Sequence, residues 1–225
     1  MLILALDTSG KMASCALLQD GVVLDLLQQD SQMDHSRLML PLCEQLLQKH
    51  GLTFADVDVY AAVVGPGSFT GVRIGVAAAK GFAWGGQLPC YGVSTLEAMA
   101  ETLGAWEGHI CACMDARRNQ VYNALFESKD GKLTRLCEDR ALAIEDLLKE
   151  VSEYAPEKRI YLVGDGAELV MDFDEFGEQF PVLDGCMILL GERLRNQSGY
   201  SVALVALEAY RNGNVCTDAE LAPVY

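Results

Sequence analysis

Residues 60–75 read YAAVVGPGSFTGVRIG. The apolar run Tyr60 to Val64 is typical of a buried strand, and the glycines that follow it interrupt that strand. From about Thr70 to Trp84 the pattern is helical, and Gly85 and Gly86 end the helix. A buried strand that leads through a glycine turn into a helix is the building unit of α/β proteins, so this stretch predicts an α/β fold.

The glycine turn has two interpretations. Gly65, Gly67 and Gly71 free the backbone where the strand meets the helix, and amides at a helix N-terminus can hold an anion. The same glycines also suit a compact turn that lets the helix pack closely. No Gly-Lys-Ser/Thr follows, which excludes a Walker loop. Gly65 and Gly67 are therefore candidate nucleotide contacts, with close packing as the alternative.

The start of the chain offers a second polar turn. Residues 2–10 read LILALDTSG, a continuous apolar run followed by a carboxylate and two hydroxyls. Asp7, Thr8 and Ser9 could approach a metal-bound phosphate, or they could bond to local amides as a turn or cap. They join Gly65 and Gly67 as the candidate nucleotide-binding residues.

Strand and helix patterns alternate through the rest of the chain. Further strands are predicted at Ala13–Gln19, Val22–Gln28, Ile110–Asp115, Gln120–Phe126, Leu133–Cys137 and Ile160–Val163. Further helices are predicted at Ser36–His50, Ser94–Gly104, Ile144–Tyr154, near Cys186–Asn196 and at Ser198–Asn212. Because hairpins followed by helices occur twice, we predict two lobes, 1–105 and 106–225. The final helix is too apolar for solvent and is expected to pack back on the first lobe.

The first two helices carry much apolar surface. On a helical projection the first has an apolar arc of about 200°, whereas a surface helix needs little over 100°. The second has small residues at four-residue spacing, a track along which another backbone can come close. These features predict a docking face for a partner, with deep burial as the alternative. The candidate docking residues are Leu38, Met39, Leu42, Leu46, Gly71, Val72, Gly75, Val76 and Ala79.

Charge and composition exclude several classes of protein. The 17 basic and 32 acidic residues give a net charge of −15, which opposes tight binding of RNA. No apolar stretch approaches the roughly 20 residues of a membrane span, and Met1 to Asp7 has no basic leader. We therefore expect a soluble, cytoplasmic protein with reduced cysteines.

Catalytic motifs are missing from the sequence. The three histidines, His35, His50 and His109, form no i, i+4 pair, and no HExxH or Gly-x-Ser-x-Gly occurs. We therefore predict no metal site and no hydrolase triad.

Several runs together resemble the TsaB (YeaZ) family, densely in the N-terminal half and thinly in the C-terminal half. They are DTS (7–9), HSRLMLP (35–41), GPGSFTGVRIG (65–75), AKG (79–81), GVSTLE (92–97), MDAR (114–117) and PVY (223–225). The resemblance implies the fold shared by acetate and sugar kinases, Hsp70 and actin (ASKHA), with two related lobes of mixed sheet flanked by helices. It also implies a part in making N6-threonylcarbamoyladenosine beside the anticodon of tRNA.

The resemblance further implies a set of partners. A TsaC-type enzyme makes threonylcarbamoyl-adenylate, the paralogue TsaD transfers the group to tRNA, and the ATPase TsaE supports turnover. The first two helices pack on their TsaD counterparts as a four-helix bundle, or form a homodimer when TsaD is absent. The tRNA is left to TsaD's side of the complex.

The resemblance implies a non-catalytic subunit, a scaffold or activator. TsaD holds its metal with a His-x-x-x-His pair whose positions fall here at about Thr95 and Met99, a hydroxyl and a thioether that suit no such metal. No cofactor is required, although weak ATP or ADP binding at the two turns stays open. The alternative is a small ATP-dependent kinase of the same fold, with Asp165 in its second phosphate loop.

Overall fold

The computed structural model describes residues 1–31, 34–155, 159–173 and 176–224, so Tyr225 of the PVY run lies outside the described residues. Contacts divide the chain into two units, Met1–Ala98 with Gln197–Tyr225, and Met99–Asn196. The sequence predicted one division at residue 105, whereas the contacts give one near residue 98 and a second near 196. The second arises because the C-terminal residues return to the first unit.

The described residues form strands and helices that alternate along the chain. The strands are β1 (Leu2–Asp7), β2 (Met12–Gln19), β3 (Val22–Asp30), β4 (Val59–Gly65), β5 (Cys90–Ser94), β6 (Gly108–Arg117), β7 (Gln120–Lys129), β8 (Lys132–Arg135), β9 (Arg140–Ala143), β10 (Ile160–Val163) and β11 (Met187–Leu189). The helices are α1 (His35–Lys49), α2 (Phe69–Gly86), α3 (Thr95–Glu101), α4 (Ile144–Ser152), α5 (Ala167–Met171), α6 (Phe176–Gln179), α7 (Glu192–Arg195) and α8 (Gly199–Arg211).

The first unit is a sheet covered by helices on both faces. Its strand order is β3-β2-β1-β4-β5, with β1 antiparallel to β2 and parallel to β4. Leu4 and Leu6 of β1 pack with α1 and α2, while Ile3 and Ala5 on the opposite face pack with α8. Burial on both faces explains why β1 and β4 are apolar without interruption.

The second unit repeats the same strand order. Its sheet runs β11-β10-β6-β7-β8, with β9 paired to β7, and β6 is antiparallel to β7 and parallel to β10. Read from β8, this order matches the order of the first unit read from β3. Helices α4 and α5 contribute to its core. The duplicated mixed sheet with flanking helices is the ASKHA fold that the family resemblance implied.

The structure corrects one predicted helix and adds three strands, β5, β9 and β11, that the sequence did not predict. The segment near Cys186–Asn196 is β11 followed by the single turn of α7, because its apolar residues Met187–Leu189 pair with β10. The strand β5, which the sequence did not predict, pairs with β4. No helix within the described ranges combines the length and the apolar character needed to cross a bilayer.

Candidate functional site

The two polar turns of the sequence meet in the first unit, where β1 and β4 end and α2 begins. Asp7 Oδ1 accepts hydrogen bonds from the Ser9 amide at 2.9 Å and the Ser9 hydroxyl at 2.7 Å. The Thr8 hydroxyl donates to the Gly71 carbonyl oxygen at 2.7 Å, and the Ser68 amide donates to the Ser9 carbonyl oxygen at 2.8 Å. The sequence therefore identified residues that the fold does bring together.

The glycines of the turn are required by close approach of α2 to the first turn. A Cβ on Gly71 would collide with the Thr8 carbonyl oxygen, and a Cβ on Gly75 would lie 2.6 Å from Thr8 Oγ1. Gly67 has φ +152°, and a Cβ there would lie 2.7 Å from the Ser9 carbonyl oxygen. The backbone that approaches this glycine track is the chain's own, which favours the packing interpretation of the turn.

Asp7 is the least satisfied group of this junction. Burial raises the pKa of its carboxyl, and the two hydrogen bonds from Ser9 act in the opposite direction. Its Oδ2 atom is buried and has no hydrogen-bond partner in the part of the chain that the structure describes. The Thr8 and Ser9 side chains are buried and already engaged within the protein. The Thr8 and Ser9 hydroxyls each already donate a hydrogen bond and keep only acceptor capacity, so Asp7 Oδ2 is the side-chain atom of this set that no described residue engages.

Gly65 is covered by the C-terminal residues 216–224, which we call the C-terminal strap. Cys216 and Cys90 exchange two backbone hydrogen bonds, and the Val224 amide donates to the Val64 carbonyl oxygen at 2.8 Å. A Cβ on Gly65 would lie 2.7 Å from the Val224 carbonyl oxygen.

The strap is also held by α2. Lys80 Nζ donates to the Leu221 carbonyl oxygen at 2.9 Å and to the Ala219 carbonyl oxygen at 3.4 Å. This contact gives Lys80 of the AKG run a structural role, one that sequence patterning could not reveal because the strap lies far along the chain.

Most of the predicted docking residues lie inside the first unit. Leu42, Leu46, Val72, Val76 and Ala79 are buried in its core with the β1 leucines, as is Met39. Gly71 and Gly75 are buried against Thr8, and Leu38 alone is half-buried. Apart from Leu38, these residues therefore cannot form a docking face, because the broad apolar arcs are used to cover one face of the sheet.

Both helices nevertheless expose large apolar side chains elsewhere. Leu40 of α1 is 46% exposed, and Phe69 and Trp84 of α2 are 56% and 75% exposed. The Arg73 guanidinium lies 3.7 Å from the centre of the Phe69 ring. Between Arg73 and Trp84 the outward positions of α2 are the small residues Ala77 and Gly81. We call these six residues the outer helix surface.

The sequence interpretation missed the outer helix surface because it counted Trp84 only as the end of a helix. The signal was the spacing of three to four residues from Arg73 through Ala77 and Gly81 to Trp84, which places all four on one side of the helix.

The second unit has a corresponding junction at the ends of β6 and β10. The Asp115 amide donates to Asp165 Oδ1 at 3.3 Å, and Arg117 forms a 3.0 Å ion pair with Asp115. Gly164 and Gly166 approach the backbone of Cys113 and Met114 too closely for a Cβ. Desolvation raises the pKa of Asp165, hydrogen bonds from backbone amides oppose that shift, and the Asp115 charge reinforces it.

The two positions where the family resemblance implies that the paralogue's metal ligands would fall are buried. Thr95 is 0% exposed and Met99 is 1% exposed. Among the described residues, no three His, Cys, Asp or Glu side chains lie together in a way that could hold a metal ion.

Comparison with known proteins agrees with this architecture. Residues 27–203 match the family model described as "TsaD: tRNA N6-adenosine threonylcarbamoyltransferase". The chain is 36% identical over 153 residues to the tRNA threonylcarbamoyladenosine biosynthesis protein TsaB of Bacillus subtilis, an alignment covering 68% of this chain and 67% of that protein. It is also 36% identical over 154 residues to the Escherichia coli protein of the same name, covering 67% and 65%.

A solved structure extends the likeness to the whole fold. YeaZ from Pseudomonas aeruginosa superposes with a TM-score of 0.80 at 26% identity, covering 100% of this chain and 99% of that one. The matched family model, these relatives and the duplicated sheets agree with one another: the chain belongs to the TsaB (YeaZ) family and shares the domain of its paralogue TsaD.

Proposed function

We propose that this chain is a non-catalytic subunit that docks to a TsaD-like transferase and supports the formation of N6-threonylcarbamoyladenosine in tRNA. The curated relatives are named for the biosynthesis of that nucleoside. The match to the transferase model makes a paralogous partner of the same fold the natural candidate.

The observation that carries the docking proposal is the outer helix surface. Trp84 is 75% exposed on the same side of α2 as the exposed Arg73, Ala77 and Gly81, and Phe69, about 22 Å away along the axis at the start of the helix, is 56% exposed. Aromatic residues on a surface of small neighbours are typical of the anchors of protein interfaces. Ala77 and Gly81 leave room for a partner helix to approach between Arg73 and Trp84.

The chemistry of the two aligned metal positions supports a non-catalytic role. A threonine hydroxyl and a methionine thioether at 95 and 99 are weak ligands for the metals that histidine pairs bind. The chain would therefore contribute a docking surface and leave the transfer step to its partner.

The acidic surface supports a complex in which the partner, and not this chain, binds the RNA. With a net charge of −15 the chain repels phosphates, so the transferase would supply the cations that hold tRNA. A TsaE-like ATPase completes the proposed complex, which we place in the cytoplasm. Without the transferase, the outer helix surface of two copies would pair as a homodimer.

The docking proposal is tested by measuring the affinity of the chain for the TsaD-like protein of the same organism. Trp84→Glu and Ala77→Arg place charges on the outer helix surface and should each weaken binding at least about tenfold. Leu169→Glu, at a 42% exposed position in the second unit, is the matched control and should bind normally. Charges at Leu42 or Gly75 would test folding instead, since both lie in the core.

Two results would contradict the proposal. Unchanged affinity in both surface variants would remove the outer helix surface as the docking site. Modification of tRNA by the purified chain without the transferase would remove the non-catalytic role.

The unpartnered Oδ2 of Asp7 favours a second candidate, a small kinase with a nucleotide at the first turn. The engaged Thr8 and Ser9 hydroxyls argue for at most weak ATP or ADP binding there. Calorimetry with Mg-ATP separates the two candidates, because a kinase should bind with a Kd well below about 1 mM and a scaffold need not.

A further inference from the structure

The second unit contains a cavity that the proposed docking function does not use. It has a volume of about 560 Å³ and lies between the loop before β6, the end of β7 and the start of β10. Ligand cavities in proteins typically measure about 300–1,000 Å³. The cavity therefore has the size of a small-molecule site.

Its walls are held in place by contacts within the unit. The Ser128 hydroxyl donates to the Gly104 carbonyl oxygen at 2.7 Å, which ties the loop to the end of β7. Gly108 has φ +141°, and a Cβ there would lie 2.7 Å from the Arg159 carbonyl oxygen and 3.2 Å from the Tyr161 ring. The close approach of loop and β10 therefore depends on a glycine at 108, and the cavity is preformed.

One wall carries an aromatic ring suited to stacking. Trp106 is 41% exposed, and Tyr161 supports it in an edge-to-face contact with ring centroids 5.3 Å apart and an interplanar angle of 81°. An indole supported through such a contact can receive a planar group on a ring face.

The charged groups of the lining are balanced. Lys129 and Arg159 line the cavity, and neither forms an ion pair with any other residue that the structure describes. Two carboxylates, Glu107 and Glu127, line it as well, and Glu107 Oε1 accepts the Asp130 amide at 2.8 Å. A single cavity thus offers cations for an anionic group and carboxylates that can accept hydrogen bonds from N–H donors.

We propose that this cavity binds a purine mononucleotide. The base stacks on Trp106 and its exocyclic amino group donates to a carboxylate, while the phosphate lies with Lys129 and Arg159, which suit phosphate as charged donors. The acidic surface of the chain favours a free nucleotide over a nucleic-acid strand, because a strand brings many further phosphates toward it. The site is separate from the turn at Asp7 and from the outer helix surface.

The test uses the tryptophan content of the chain. Trp84 and Trp106 are its 2 tryptophans, so Trp84→Phe leaves Trp106 as the single reporter. Titration with AMP or GMP should change the Trp106 emission saturably. Adenosine and ribose 5-phosphate should each bind at least about tenfold more weakly, because each lacks one of the two contacts.

Variants assign the contacts. Arg159→Gln and Lys129→Gln should each weaken AMP binding about tenfold and leave adenosine binding unchanged. Lys132→Gln, on β8 outside the cavity, is the matched control and should bind like the parent. Trp106→Leu, measured by calorimetry, should weaken both AMP and adenosine. Thermal unfolding of each variant shows whether the unit has stayed folded, and Trp106→Phe is a milder second variant.

Three results would overturn the proposal. These are no saturable change with AMP or GMP up to about 10 mM, equal AMP affinity in folded Arg159→Gln and Lys129→Gln, or tighter binding of a single-stranded oligonucleotide than of AMP. Loss of docking to the transferase is a separate measurement, so this test and that of the proposed function fail independently.

Discussion

At the scale of residues, the junction of Thr8 with α2 shows why glycines stand at 71 and 75. Each is a point where a methyl group would meet the first turn, and neither is needed for its φ angle. The helix contains a further glycine, Gly81, with nothing within 4 Å of a Cβ. The same substitution should therefore have opposite effects at two positions of one helix.

We expect Gly75→Ala to lower the free energy of unfolding by about 1–3 kcal/mol, because the added Cβ would overpack Thr8 Oγ1. Gly81→Ala should raise it by about 0.4–1 kcal/mol, because alanine lowers the entropy of the unfolded chain. Urea unfolding measures both. Thr8→Ala combined with Gly75→Ala should recover part of the loss, and strict additivity would contradict the proposed contact.

The carboxyl of Asp7 gives a prediction in pH. Burial raises its pKa above the ordinary value of 3.8, so ionisation costs more in the folded than in the unfolded chain. The contribution of this group to stability is then largest below the unfolded pKa, and it falls as pH rises through the folded pKa.

Asp7→Asn keeps an oxygen acceptor for Ser9 and removes the ionisation. The variant should gain stability relative to the parent as pH rises from about 4 toward neutrality, which urea unfolding at several pH values measures. A constant difference between variant and parent over that range would show that the carboxyl titrates normally.

At the scale of elements, local sequence patterns predict much of the secondary structure. The strands β1, β4 and β10 and the helices α1, α2 and α8 follow from apolar runs and glycine stops. The predicted docking face was wrong in its residues because a helical projection gives the width of an apolar stripe but not the layer that covers it. In this chain the β1 leucines cover the stripe of both helices.

Other elements depend on contacts that no local window contains. The three residues of β11 become a strand only through pairing with β10, and Cys90–Ser94 becomes β5 beside β4. The C-terminal strap cannot be predicted from local pattern either, since its hydrogen bonds are to Val64, Lys80 and Cys90, which lie far away along the chain. The sequence predicted the candidate turn residues. It could not predict that the backbone carbonyl oxygens of Thr8, Ser9 and Val224 lie against the glycines at the end of β4 and after it.

Lys80 should control the mobility of the C-terminal strap. Lys80→Met removes the hydrogen bonds to the Leu221 and Ala219 carbonyl oxygens, and we expect the Cys216 and Val224 amides to exchange about tenfold faster with deuterium. Lys49→Met is the control, because it removes an ion pair between α1 and Asp25 of β3 that does not involve the strap. Equal exchange in the two variants would show that Lys80 does not hold the strap.

At the scale of the whole molecule, composition predicts how the chain meets RNA. The net charge of −15 leaves few cations free to neutralise phosphates. We expect the chain alone to bind tRNA with a Kd weaker than about 10⁻⁴ M at physiological salt, as measured by filter binding. Addition of the transferase should produce binding whose salt dependence is that of the transferase. Tight binding by the isolated chain would contradict this distribution of charge.

The first unit is discontinuous, and this has a consequence for biosynthesis. Residues 1–98 leave the ribosome before α8 and the C-terminal strap that complete their sheet, whereas residues 99–196 form a continuous unit. The apolar face of β1, β2 and β4 that α8 covers stays open during most of translation. Nascent chains stalled shortly before residue 197 would therefore expose the apolar face of this sheet to chaperones, although their second unit could already be folded.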